Sequence, residues 1–141
     1  MTVSEIDFTY FIGQKVIKIN SVDGMLNGLL FESAVLTIEC PWRLRTSKEI
    51  IIGYSDCIHA PDRYSSKNVE KVLTGTEIAA IYHFENTSDL IIEFKEKLYL
   101  DLFHDSSYFE GWQLQADNGF HIVSLPGGSG SIFRSESSGD R

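Results

Sequence analysis

Short segments rich in β-branched and aromatic residues are the feature that most constrains the fold of this chain. They recur along most of the sequence, as at residues 15–19, 35–38 and 90–94, and polar residues or Gly, Asn and Asp separate them. Several alternate apolar and polar residues with the period of two that turns one face of a strand toward a core. Between two of them, Glu32 and Ser33 indicate a tight hairpin turn. This spacing predicts an antiparallel β-meander.

One segment, residues 62–73, has a different period. Val69 and Leu73 lie at helical spacing, and Ser65 or Ser66 is suited to cap the amino end of a helix. We therefore expect one short helix, which covers one face of a sheet.

The two parts of the chain on either side of this helix resemble each other. Glycines and apolar residues recur at a constant offset (75 − 13 = 62) along four predicted strands. The pairs are Gly13 and Gly75, Val16 and Ile78, Ile19 and Ile81, Leu30 and Ile92, Leu36 and Leu98, Ile38 and Leu100, Ile50 and Trp112, and Ile52 and Leu114. Coincidence between two ordinary meanders is the alternative to an internal duplication. The predicted fold is α+β and mostly β, with two meander halves that form a sandwich or half-barrel and one short helix between them.

The length of 141 residues and the 43% of hydrophobic residues suit one globular domain that builds its core without disulfides or metals. We predict a single β-rich domain over residues 1–128 and a flexible Gly/Ser-rich tail over residues 129–141. Cys40 and Cys57 are expected to be reduced thiols. Glu5 and Asp7 interrupt the amino terminus where a signal peptide would be apolar, so we expect a cytoplasmic protein.

A formal net charge of −8 and a sequence pI near 4.9 argue against nucleic acid and anionic membrane surfaces as partners. Acidic charge suits a basic protein partner, although simple solubility also explains it. The basic cluster of Arg43, Arg45 and Lys48, beside Trp42, is too small to reverse this expectation.

Candidate catalytic and metal-binding groups do not form a recognisable pattern. The four histidines and Cys57 match no zinc spacing, and there is no Gly-x-Ser-x-Gly nucleophile motif. Glu93 and Asp101 share one face of a predicted hairpin, but solvent-facing polar positions explain them equally well. We predict no catalytic, cofactor-binding or metal-binding residues and no enzymatic activity.

Aromatic side chains near the acidic residues suggest a protein-binding surface instead. Tyr99 and Phe103 share the face of Asp101, and Tyr108 and Phe109 precede a strand. Aromatic rings anchor interfaces because they bury much area at low cost in conformational entropy. Alternatively, the helix or the second sheet covers Tyr99 and Phe103.

The whole span from about residue 13 to residue 128 resembles a group of small bacterial β-domains. The motif is a β-hairpin over residues 90–100, a Glu-x-Trp-x-Leu strand at residues 110–114 and a closing strand that ends in Pro-Gly-Gly at residues 126–128. Residues 13–19 and 36–41 are similar to the amino-terminal half of that group. The motif is more specific for a fold than for a function.

Proteins of this kind are often encoded beside polymorphic toxins, including those of contact-dependent growth inhibition. The resemblance implies an immunity protein that binds a toxin, expected to be a basic nuclease, and occludes its active site. Trp112, Leu114, Pro126 and Gly127 would then have structural roles. As partner-binding residues we expect Asp56, Asp62, Glu93, Asp101, Asp105 and Tyr108.

Two other functions stay open at this point. The first is a small-ligand-binding β-domain, with a pocket between the sheets lined by Phe84, Phe94, Phe103 and Trp112. The second is an enzyme, which would require His83, His104, Cys57 and carboxylates to converge.

Overall fold

The fold is seen in a computed structural model, which describes residues 2–128 and 130–134 and the side chains up to Gly128. Eleven strands and two short α-helices make up these residues, with 3-10 turns at Thr9–Phe11 and Pro126–Gly128. In chain order they are β1 (Val16–Val22), β2 (Met25–Phe31), β3 (Ala34–Ile38), β4 (Trp42–Arg45), β5 (Ile50–Gly53), α1 (Tyr54–His59), α2 (Ser66–Leu73), β6 (Ile78–His83), β7 (Leu90–Phe94), β8 (Leu98–Leu102), β9 (Trp112–Ala116), β10 (Phe120–Ser124) and β11 (Gly130–Arg134).

The strands form two antiparallel sheets that enclose one core. The six-stranded sheet has the order β1-β2-β3-β9-β10-β11, and the five-stranded sheet has the order β5-β4-β8-β7-β6. Apolar residues of both sheets join in a single buried cluster that includes Leu36, Leu44, Leu100 and Leu114, each without exposed surface. Burying alternate residues of two facing sheets is how a sandwich forms its interior. The predicted mostly-β α+β sandwich is thus confirmed.

Each sheet combines strands from both halves of the chain. We call residues 9–53 the first half and residues 66–124 the second half. In the first half β1, β2 and β3 lie in one sheet and β4 and β5 cross to the other; in the second half β6, β7 and β8 lie in that other sheet and β9 and β10 cross back. The first five strands therefore have the same arrangement as the next five, so the predicted likeness of the halves extends to topology.

The two halves meet at a junction whose hydrogen bonds are reciprocal. Gly13 N donates to Ile78 O, and Gly75 N donates to Val16 O, both at 2.8 Å. Each atom has its counterpart 62 residues away (78 − 16 = 62). Both glycines have positive φ, +90° and +89°, a backbone conformation in which an L side chain is strained. The same turn is therefore built twice, once in each half.

The constant offset holds only in the first strand of each half. The ladder pairs match Leu29 with Ile92 (92 − 29 = 63) in the second strand and Leu36 with Leu100 (100 − 36 = 64) in the third. By strand order β4 corresponds to β9, so Trp42 corresponds to Trp112 at a larger offset (112 − 42 = 70), as Leu44 does to Leu114. The expected pairings are therefore wrong for Leu30 with Ile92, Leu36 with Leu98, Ile38 with Leu100, Ile50 with Trp112 and Ile52 with Leu114. The largest step, from 64 to 70, comes from a longer connection in the second half, since residues 103–111 join β8 to β9 where only residues 39–41 join β3 to β4.

The predicted helix is α2, and a second helix was not predicted. Ser65 caps α2 as expected, because its hydroxyl accepts from Lys67 N at 3.2 Å. α1 directly follows β5, and its start is held by Asp56 Oδ2, which accepts from Gly53 N at 2.9 Å. α1 was not predicted because a six-residue helix is too short to show apolar periodicity. The structure therefore has two short α-helices where the sequence predicted one.

The predicted tail boundary at residue 129 is wrong for residues 130–134. These form β11, which pairs with β10 from Gly130 to Arg134. Main-chain hydrogen bonds to an open sheet edge need little apolar side-chain surface, which is why composition misled here. The rest of the predicted tail, residues 129 and 135–141, lies outside the described part of the chain.

Candidate functional site

The candidate site lies at the end of the sandwich where the chain crosses between the sheets. There β3 leads into β4 and β8 leads into β9. The two connections are bound to their neighbours, since Glu39 N donates to Gly111 O at 2.7 Å and Phe103 N donates to Pro41 O at 2.9 Å. This end therefore has a fixed frame, on which the longer connection, residues 103–111, forms what we call the aromatic loop.

Two rings of the aromatic loop project into solvent. Tyr108 is 77% exposed and Phe109 is 66% exposed. Their ring centroids lie 4.9 Å apart in an edge-to-face arrangement, and the backbone N–H groups of both residues donate to Ser106 Oγ, at 2.9 and 2.8 Å. Gly127 N donates to Ser106 O at 3.0 Å, which ties this turn to the closing segment of the chain. The rings are exposed although their backbone is held.

Acidic side chains lie beside Phe109. Glu39, Asp105 and Glu110 are all exposed, and they line a cavity of about 330 Å³ together with Phe109 and His104. Carboxylates grouped with exposed aromatic rings produce a local negative potential beside an apolar anchor. This end of the molecule can therefore attract a cationic surface and hold it by ring burial.

His104 connects the aromatic loop to the core. Its backbone N donates to Asp89 Oδ1 at 3.2 Å, its Nδ1 lies 3.2 Å from Ser124 Oγ, and its Nε2 is buried without a hydrogen-bond partner. Ser124 is fully buried, and its oxygen accepts from the backbone N–H groups of Gly111 and Trp112 at 3.0 and 2.8 Å. With these partners the Ser124 hydroxyl fixes the end of the aromatic loop and is not free to act as a nucleophile.

A second cavity of about 350 Å³ adjoins the first and shares Glu39 and Asp105 with it. Trp42, Asn27, Tyr54 and Cys40 contribute to its wall. Burial, and then the negative charge of Asp105, raise the pKa of the Cys40 thiol to about 12. The thiol is therefore protonated at neutral pH and is not a reactive thiolate.

Three of the six predicted partner-binding residues lie at this end. Asp105 and Tyr108 belong to the aromatic loop. Asp56 is half-buried at the start of α1 and lines a third cavity, of about 550 Å³, which shares Trp42 and Tyr54 with the second.

The other three predicted residues have separate surroundings. Asp62 is exposed in the turn between α1 and α2. Glu93 accepts from the Tyr82 hydroxyl at 3.0 Å. Asp101 is only 1% exposed, and the Nε atoms of Arg43 and Arg45 both lie 2.6 Å from its Oδ2.

Asp101 thus pairs with the arginines of the predicted basic cluster, and these arginines contact Tyr99 and Phe103, the aromatic residues predicted to share its face. The guanidinium groups of Arg43 and Arg45 stack on the rings of Phe103 and Tyr99, at 5.1 and 4.4 Å from the ring centroids. These side chains cover the Asp101 carboxylate on the outer face of the five-stranded sheet. The arginines and the aromatic pair therefore interact mainly with one another.

The pocket predicted between the sheets is not assembled. Phe94 and Trp112 belong to the filled core, at 0% and 1% exposure, whereas Phe103 lies on the outer face under Arg43. The four predicted rings thus do not line one cavity.

The histidines and thiols likewise have local roles. His83 lies between Ser4 and Ser88, and both cysteines are free. Across the described residues no group of three or more His, Cys, Asp or Glu side chains could hold a metal ion. No helix in the same part of the chain is long and apolar enough to cross a membrane.

The partner-binding residues predicted from the sequence did not include Phe109, Glu39, Glu110 or His104, although Phe109 was part of the suggested aromatic surface and His104 part of the enzyme alternative. The signal that points to them is the unequal length of equivalent connections, because the second half carries extra residues where the first half has a short turn. That signal requires the correct pairing of strands, which the ungapped offset concealed.

Comparisons with protein-family models, with curated proteins and with solved structures gave no match to this chain.

Proposed function

We propose that this chain is an immunity protein that binds and neutralises a bacterial toxin domain through the aromatic loop. The observation that carries the proposal is the exposed, backbone-anchored pair Tyr108 and Phe109. Large apolar rings in solvent beside polar neighbours are typical of interaction sites, and aromatic residues dominate interface hot spots. The resemblance to immunity proteins supplies the kind of partner.

The mechanism we propose is steric occlusion assisted by charge. A toxin that acts on nucleic acid carries basic residues around its active site, because it must bind phosphates. Glu39, Asp105 and Glu110 would attract that surface, and the two rings would bury against it. Cytoplasmic location and a basic nuclease as the partner are parts of this proposal.

The test is co-expression with the product of the neighbouring gene, which this proposal expects to encode a toxin, followed by calorimetry of the purified complex. We expect nanomolar binding by the native chain. The double variant Y108A/F109A should weaken binding by at least about 30-fold, which corresponds to the roughly 2 kcal/mol lost at a hot spot. The control variant Y82A removes a ring that is 37% exposed on the five-stranded sheet and should leave affinity unchanged.

A second pair of variants tests the charges. D105N/E110Q should lower the association rate and its dependence on salt, since charges at the rim of an interface act mainly on encounter. E70Q, at an exposed position of α2, is the matched control. If no complex forms with the adjacent gene product, or if Y108A/F109A binds as tightly as the native chain, the proposal is wrong.

A further inference from the structure

The two halves of the chain differ in how they bond the N–H group of an equivalent buried tryptophan. In the second half, Trp112 Nε1 donates to Ser88 O at 2.8 Å, and the indole ring packs edge-on against His83, with 5.8 Å between centroids. Ser88 comes from the connection between β6 and β7, residues 84–89. That connection folds over the end of the indole and satisfies its N–H group.

In the first half the equivalent connection is too short to do this. Only Asp23 and Gly24 lie between β1 and β2, both with positive φ, which is a two-residue hairpin turn. Trp42 is 2% exposed, and its Nε1 is buried without a partner. Asn27 Oδ1 is also buried without a partner, and both residues line the same 350 Å³ cavity.

The equivalent positions of the second half carry different side chains. By strand order Leu90 corresponds to Asn27, His104 to Cys40 and Ser124 to Tyr54. His104 and Ser124 bond to each other there, whereas Cys40 and Tyr54 stand in the wall of the open cavity. The 350 Å³ cavity is therefore lined by other residue types than the equivalent positions of the second half.

The unpaired atoms define what the cavity can bind. Trp42 Nε1–H is a donor and Asn27 Oδ1 is an acceptor, and leaving either buried without a partner is unfavourable. A carboxamide can satisfy both, since its carbonyl accepts from the indole and its N–H donates to the amide oxygen. The volume lies within the range of small-molecule sites, and the carboxylates of Glu39 and Asp105 in the wall favour a positive charge.

We propose that this cavity binds a small cationic molecule that carries a carboxamide group. The carboxamide lies between Trp42 and Asn27, and the positive charge lies near Glu39 and Asp105. This site shares Glu39 and Asp105 with the proposed toxin-binding surface, but it needs neither Tyr108 nor Phe109, so variants of those two residues test the two sites separately.

The test uses ¹⁵N-labelled full-length protein and follows the indole N–H signals by NMR, with argininamide as the probe. The Trp42 signal is assigned as the one missing in W42F. Argininamide should shift the Trp42 signal in a saturable way and leave the Trp112 signal in place. Agmatine has the guanidinium group without the carboxamide and should bind about five- to tenfold more weakly, because the two hydrogen bonds are absent.

Variants locate the site and guard against a failure to fold. N27L places in the first half the residue type that the second half has at Leu90, and it should weaken argininamide binding by about five- to tenfold. W112F, at the equivalent tryptophan, is the control and should bind as the native chain does. Y108A/F109A should also bind argininamide normally, which separates this site from toxin binding.

Three results would overturn the proposal. The first is an unchanged Trp42 signal at millimolar argininamide, which would mean that water alone satisfies these atoms. The second is equal binding of agmatine and argininamide. The third is binding by a folded N27L variant with native affinity.

Discussion

At the scale of single residues, a comparison of Trp42 with Trp112 separates the contribution of one hydrogen bond to stability from the contribution of ring burial. Both rings are almost fully buried, at 2% and 1% exposure, and they occupy equivalent strands. Only Trp112 has a partner for its indole N–H, the carbonyl of Ser88. The loss of apolar volume on replacement by Phe is the same at both sites.

We therefore expect W112F to be more destabilising than W42F, by about 1–2 kcal/mol, because it leaves the buried Ser88 carbonyl unpaired. Chemical denaturation of both variants, with equal m-values as the check on two-state behaviour, measures the difference. Equal free energies of unfolding would show that the Ser88 bond contributes nothing net.

His83 makes stability depend on pH. Burial lowers its pKa below the ordinary value of 6.5, although the charges of Glu85 and Asp89 oppose this. Its ring nitrogens lie 2.9 Å from Ser4 Oγ and 3.2 Å from Ser88 Oγ. A folded-state pKa below the unfolded one means that the unfolded chain takes up the proton first as pH falls.

The stability associated with neutral His83 should be complete above about pH 6.5 and decrease as pH falls from there toward the lower folded pKa. Free energies of unfolding measured across this range for the native chain and for H83Q test this. H83Q should reduce the pH slope, while H59Q, at an exposed position of α1, should keep it. An unchanged slope in H83Q would assign the pH dependence to other groups.

At the scale of elements, the outer face of the five-stranded sheet is organised by one carboxylate with two arginine partners. Asp101 on β8 is paired with Arg43 and Arg45 on β4. A buried carboxylate costs much free energy when it is unpaired and little when a partner remains. Either arginine alone can supply that partner.

We expect R43Q and R45Q each to cost little, and the double variant to exceed their sum by about 1 kcal/mol or more, since only it leaves Asp101 without a cation. A double-mutant cycle by denaturation gives the coupling energy. Q113L and Q115L, at the equivalent positions of β9 in the other sheet, form the control cycle and should be additive. Additivity of the two arginine variants would rule out a shared partner.

At the scale of elements, too, some strands could be predicted from the sequence and others could not. The strands with regular alternation, such as β3 and β7, were predictable because one face of each is buried. β4 was missed, since its outward residues Arg43 and Arg45 looked like a surface basic cluster. Their interaction with Asp101 is long-range in sequence, and no local pattern reports it.

The candidate site was less predictable than the fold for a related reason. Tyr108 and Asp105 could be chosen by residue type, but the cavity beside them involves Asn27, Trp42 and Tyr54, which come from β2, β4 and the start of α1. Their convergence follows from the crossing of strands between sheets, which periodicity does not reveal. A buried atom without a partner is likewise a property of the packed structure and not of the sequence.

At the scale of the whole molecule, neither half contains a complete sheet. β3 pairs with β9 and β4 pairs with β8, so each sheet is joined across the halves by a central ladder. Cutting these ladders would expose apolar faces and unpaired edges on both halves. The stability of each half therefore depends on the other.

We expect fragments 1–61 and 62–141 to be unfolded when separate and to regain the native spectrum when mixed at equal concentration. Circular dichroism and the indole N–H signals of Trp42 and Trp112 measure this. A fragment that folds by itself as a monomer would contradict the mutual dependence of the halves.

The reciprocal junction between the halves reduces the structural role of the segment that links them. Since ladder bonds on both sides of Gly13 and Gly75 hold the halves in register, the linking segment acts mainly as a tether that raises their effective concentration. A protease that nicks the turn around Asp62 would thus leave a noncovalent complex with the native shape. Cleavage of this protein would be visible under denaturing conditions long before the fold is lost.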